Sequence, residues 1–179
     1  MSEDTMEMQE YFESYVPTVV GKILAEKPVD GMEGTTFSTQ VSIEGEKTMV
    51  FGVTIKDAME LKVQSGALES PMLAVTLPES ILKPATRQMS QMVGRKQYDE
   101  LAKAKGTLTV EMEMPGDWVL PIKITFNGAA DPRATLRGPV DVLQKVMSGE
   151  LNGPEAFMGG KIKMDGDMMF LMSLSALAI

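Results

Sequence analysis

Apolar residues at Met8, Phe12, Tyr15, Val16, Val19, Ile23 and Leu24 recur at spacings of three and four, which places them on one face of a helix over 4–26. Pro17 lies inside that pattern. Lacking an N–H, it removes one backbone hydrogen bond, so a kink or break is expected, with Pro17 opening the second segment. The stretch "KPVDGMEG" then ends the helix and supplies a loop. From there the period changes: 35–44, 47–56, 59–64 and 72–77 alternate or are β-branched and are separated by turn residues, which predicts an antiparallel meander. Pro78 follows, and Ile81, Leu82, Ala85 and Met89 are helically spaced around Pro84.

Residues 94–106, "GRKQYDELAKAKG", read as a charged connector helix with Tyr98, Leu101 and Ala102 as a thin apolar stripe. A second meander follows. In "TLTVEMEM" Leu108, Val110, Met112 and Met114 share one strand face; 118–126 is its partner, 133–137 a short third strand, and Pro139 starts a helix through Met147. The two halves therefore echo each other as strand, strand, short strand, proline and helix, which leaves an internal repeat open.

The last stretch, "AFMGGKIKMDGDMMFLMSL", begins with an alternating strand in which Ile162 and Met164 share a face. Gly166 and Asp167 should end it, since glycine accepts unusual φ values and an aspartate caps a helix by accepting from its first free N–H groups. A helix over 168–177 follows, apolar on every side, which must be buried or must cover something apolar. Phe157, Met158, Met164, Met168, Phe170, Leu171 and Met172 thus gather near one end of a sheet, as a solid core or as the wall of a cavity.

Composition narrows the chemistry. The 179 residues hold no cysteine and no histidine, which removes thiol nucleophiles, disulfides, imidazole bases and the usual zinc ligands. A net charge of −8 repels phosphate backbones, and no basic run interleaved with aromatics offsets it, so nucleic acid is not an expected partner. The acidic start "MSEDTMEMQE" has no signal-peptide pattern, and a cytoplasmic protein is expected. Methionine is the outlier at 17 residues; its flexible, polarizable side chain suits both gap filling and surfaces that repack around variable shapes. "GGK" at 159–161 lacks the rest of a phosphate-binding loop. Asp165 and Asp167 are better read as turn and cap than as a catalytic pair, and Tyr98, Asp99 and Lys103 as a solvated helix face. Lys161 and Lys163 lie on the polar side of their strand.

The run "SGELNGPEAFMGGKIKMDGDMMFLMSL" resembles the C-terminal signature of the sterol carrier protein type 2 family, through Gly149, Leu151, Pro154, Ala156, Phe157, Gly160, Lys161, Ile162, Lys163, Gly166, Asp167, Met168, Met172 and Leu174. Met169, Leu171 and Ser173 depart from the family's small residues and lysine, which would narrow or reshape a tunnel. The resemblance implies an α+β fold: a mixed, mostly antiparallel sheet with helices packed on one side around an apolar tunnel. The whole chain would then be one such domain, made of an N-terminal helical segment (1–30), a first strand group and helix (35–93), the connector (94–106) and a second strand group (107–179). It also implies non-catalytic binding and transfer of a fatty acid, fatty acyl-CoA or sterol-like lipid, with transient membrane contact and no cofactor. The seven apolar residues named above are the ligand-lining candidates. An oligomeric or partner-binding accessory with a solid core, or an accessory to a lipid-metabolising enzyme, is the alternative, and the oligomeric state is left open.

Overall fold

A computed structural model describes residues 7–80 and 94–177. The chain is helical from Met8 to Glu26 in three pieces: α1 (Met8–Glu10), a π-helical turn (Tyr11–Tyr15) and α2 (Val16–Glu26). The π turn sits just before Pro17. There the N–H of Val16 reaches the carbonyl of Tyr11, five residues back, so the helix widens at the proline and continues. The part of the expected helix before residue 7, and the helical spacing at Ile81, Leu82, Ala85 and Met89, lie outside the described residues.

The strands are β1 (Thr36–Glu44), β2 (Met49–Lys56), β3 (Glu60–Ser65), β4 (Leu73–Pro78), β5 (Gly106–Met114), β6 (Trp118–Phe126), β7 (Arg133–Pro139) and β8 (Lys163–Gly166). They form one sheet, in the order β3-β2-β1-β4-β6-β5-β7-β8. Five of the pairings are antiparallel and two are parallel, so the fold is α+β with a mixed, mostly antiparallel sheet.

The parallel pairs correct both expected meanders. β4 joins not β3 but the far side of β1, and β7 joins the far side of β5. Residues 66–72 make the first crossing over the polar face of the sheet. Gly66 N–H donates to Val50 O at 2.7 Å, Leu68 N–H to Gln40 Oε1 at 3.1 Å and Met72 N–H to Ser38 Oγ at 3.0 Å. Leu68 lies directly on Gly52, where an added Cβ would come within 2.6 Å of its side chain. Alternation records which face a residue takes, not which strand lies beside it, and the pairing was therefore invisible in the pattern. With β2-β1-β4 and β6-β5-β7 built alike, the echo between the halves is a repeat of topology.

Among the described residues, the helices pack on the apolar face, as the resemblance implied. The N-terminal helical pieces bury Met8, Tyr11, Phe12 and Val16 against Val41, Ile43, Phe51, Val53 and Leu77. Helices α4 (Val140–Met147) and α5 (Gly153–Met158) cover Val110, Met112, Leu120 and Leu136. Helices α3 (Arg95–Lys103) and α6 (Met168–Leu174), with a 3-10 turn (Ser175–Leu177), cover Phe126 and Ala134. Ile122 packs against the first two clusters, and Leu108 and Met164 against the last two, so one apolar layer runs the length of the sheet. Among the described residues no helix is long and apolar enough to cross a membrane.

Candidate functional site

Local chemistry fixes where α6 sits. At Gly166 the backbone takes φ +91°, and a side chain there would run into the Arg133 carbonyl. The chain leaves β8 at that point, held by Asp167 N–H donating to Arg133 O at 2.9 Å. The Asp167 carboxylate then accepts from Phe170 N–H at 2.8 Å, the N-cap expected from the sequence. Phe170 is driven down onto the sheet, edge-on to Phe126 with ring centroids 6.0 Å apart. Gly106 makes room for it: an added Cβ there would lie 2.9 Å from the Phe170 ring and 2.6 Å from the Pro132 carbonyl.

The helix is shorter than expected, Met168–Leu174 followed by the 3-10 turn, and it is not buried all round. Phe170 and Leu171 face inward, whereas Met169 is 82% exposed. Met168 and Met172, four residues apart, share one flank; Met169 and Ser173 share the other.

Beside the second flank lies a cleft of about 420 Å³ between α6 and the C-terminal end of α3. Its apolar wall is Ala104, Pro132, Phe170, Leu174 and Leu177, with Met169 at the opening. The polar rim carries Glu100, Lys103, Lys105, Asp167 and Ser173. Two of these groups are already engaged with each other, Lys103 Nζ lying 3.4 Å from Glu100 Oε1, and Asp167 holds the helix cap. Lys105 makes no ion pair among the described residues. Such a cleft can take an apolar chain along its wall and a polar head at its rim, and its volume is near the lower end of the roughly 300–1,000 Å³ usual for ligand sites.

The candidate residues fall into two groups. Met164, half-buried on β8, and the buried Phe170 and Leu171 belong to one cluster under α3 and α6. Phe157, Met158, Met168 and Met172 are exposed, at 39%, 77%, 39% and 48%. Phe157 and Met158 end α5, a short helix capped by Asn152, which accepts from Glu155 N–H at 3.1 Å, and anchored by the buried Ala156. The sequence reading missed Met169 and the wall from Ala104, Pro132, Leu174 and Leu177. Met169 and Ser173 at helical spacing were the available signal; the approach of α3 was not readable.

A family model described as the SCP-2 sterol transfer family matches residues 88–178. The chain belongs to that family. SCP-2 family proteins bind apolar lipids, and the match covers the cleft and all seven candidate residues. No curated protein matches the chain in sequence. Among solved structures, the chain is similar to the sterol carrier protein domain 2 of Helicoverpa armigera, at 27% identity and a TM-score of 0.37, over 45% of this chain and 71% of that one. It is similar to palmitated SCP2L2 from Aedes aegypti at 15% identity and a TM-score of 0.30, over 97% of this chain and 95% of that one. Similarity to the sec-alkylsulfatase Pisa1 from Pseudomonas sp. is 15% in identity with a TM-score of 0.24, over 83% of this chain but 14% of the other.

Proposed function

We propose that this protein binds an apolar lipid around α6 and hands it on chemically unchanged, as a cytoplasmic carrier with transient membrane contact. The lipid is a fatty acid, a fatty acyl-CoA or a sterol-like molecule, held in a hydrophobic pocket. The observation that carries the reading is α6 itself. In a family of lipid binders, a helix seated by Phe170 and Leu171 keeps methionines exposed on both flanks, beside a cleft with an apolar wall. Each buried methylene contributes about 0.8 kcal/mol, so a long acyl chain offers on the order of 10 kcal/mol before association costs. No catalytic group is needed for that: Asp167 serves the cap of α6, and Glu100 pairs with Lys103.

The first test is native mass spectrometry of the protein as isolated, with solvent extraction of what it carries. A discrete added mass matching a lipid is expected. A clean apo mass, unchanged after incubation with fatty acid, acyl-CoA and sterol, overturns the proposal. With a pyrene-labelled fatty acid as probe, Phe157→Ala, Met168→Ala and Met172→Ala should each raise Kd by about fivefold, while their exposure keeps the stability loss near about 0.5 kcal/mol. Unchanged Kd in all three would remove these residues from the site.

A further inference from the structure

With no cysteine in the chain, the oxidisable sulfur is all methionine, and the thioethers among the described residues differ sharply in exposure. Met8, Met32, Met72 and Met112 are less than a tenth exposed; Met59, Met158 and Met169 are exposed by 62%, 77% and 82%. Of these three, Met169 alone lines the cleft, where it shares the rim with Lys103 and Lys105. Oxidation would convert a flexible apolar side chain into a polar one bearing a strong acceptor oxygen, at a cleft whose rim also carries Lys103 and Lys105.

From this we infer that Met169 is a reversible oxidation site that controls lipid entry to the cleft between α3 and α6. The inference rests on the lipid-binding reading above. The oxidant is a peroxide. A sulfur lone pair attacks one peroxide oxygen, an S–O bond forms as the O–O bond breaks, and the departing hydroxide takes the proton of the new S–OH group and leaves as water. The sulfur is oxidised and the peroxide reduced, and a thiol-dependent sulfoxide reductase restores the thioether. In the oxidised state the sulfoxide must be desolvated before an acyl chain can cover it, which raises the cost of entry.

The test uses the full, delipidated chain, treated with hydrogen peroxide and mapped by peptide mass, with the pyrene-labelled fatty acid as probe. For each protein the readout is Kd after peroxide divided by its own Kd before. Wild type should show sulfoxide at Met169 and a ratio of about five, returning to one after reductase treatment. Met169→Leu should give a ratio clearly below that of wild type, and Met59→Leu, between β2 and β3 at the other edge of the sheet, a ratio like wild type. Met169→Gln, a polar stand-in for the sulfoxide, should bind more weakly than wild type without peroxide. A mapped Met169 sulfoxide with an unchanged Kd, or a Met169→Leu ratio equal to that of wild type, overturns the switch and leaves lipid binding intact. Failure of the untreated wild type to take up any lipid overturns the binding reading and the switch with it.

Discussion

The two halves of the sheet use the same strand plan, and among the described residues they are roofed from opposite ends of the chain. In β2-β1-β4 the cover precedes the strands, since α1, the π turn and α2 lie over Val41, Ile43, Phe51 and Val53. Among the described residues, most of the cover of β6-β5-β7 follows them, in α4, α5 and α6, while α3 arrives from before. Each roof is pinned by an aromatic pair. Phe12 stacks on Phe51 at 4.3 Å with the rings nearly parallel, and Phe170 meets Phe126 edge-on at 6.0 Å. Among the described residues, the second roof carries a cleft bordered by an exposed methionine, Met169. A repeated sheet therefore does not imply a repeated site; the covering segments decide that.

The sharpest way to break this comparison is to remove each pin. Phe12→Ala and Phe170→Ala should both cost about 3–5 kcal/mol in urea unfolding, because each deletes a buried ring from a packed layer. Only Phe170→Ala should also weaken binding of the pyrene-labelled fatty acid, since Phe170 forms the cleft wall and Phe12 lies under the other roof. Equal loss of binding in Phe12→Ala would mean that the halves share one site.

A pair of glycines gives the next largest contrast. Gly106 has φ +132°, and an added Cβ would meet the Pro132 carbonyl and the Phe170 ring. Backbone does not yield as a side chain does, so Gly106→Ala should cost roughly 3 kcal/mol and disturb the cleft. At Gly52 the obstacle is the far end of the Leu68 side chain, which can turn aside over the polar face. Gly52→Ala should cost under about 1 kcal/mol. If the two unfold at similar denaturant concentrations, the close fit of Phe170 on β5 is wrong.

These contrasts also mark what was legible in the sequence. Period-two alternation placed β6 at its observed ends, Trp118 and Phe126, and Gly166 with Asp167 announced the break and cap before α6. Alternation carries no record of the neighbouring strand, so the parallel β1·β4 and β5·β7 pairs were missed. The orientation of α6 was unreadable for a different reason. Its apolar residues occupy every side, so no face was marked as inner, and the choice of Phe170 and Leu171 depended on Gly106 and Phe126, distant in sequence. For the same reason the cleft could not be foreseen, because its wall joins residues near 104, 132 and 170 that meet only after the sheet has formed.

The smallest effect tests the repeat at a single atom. Thr39 lies opposite Val53 and beside Leu73; at the matching place in the second half, Val110 lies opposite Ile122 and beside Leu136. Both stand four residues before the last paired position of their hairpins, Ile43 and Met114. Thr39 is 3% exposed, and its hydroxyl has no hydrogen-bond partner among the described residues. A buried hydroxyl without a partner has lost its water and gained nothing in exchange. Thr39→Val gives the first half the residue type of the second, keeps the shape and removes the stranded oxygen. It should stabilise the protein by about 1 kcal/mol, a rise of roughly 2–4 °C in Tm for a chain of this size. A fall in Tm would show that the hydroxyl is satisfied in solution and that the two halves differ in their cores as well as in their roofs.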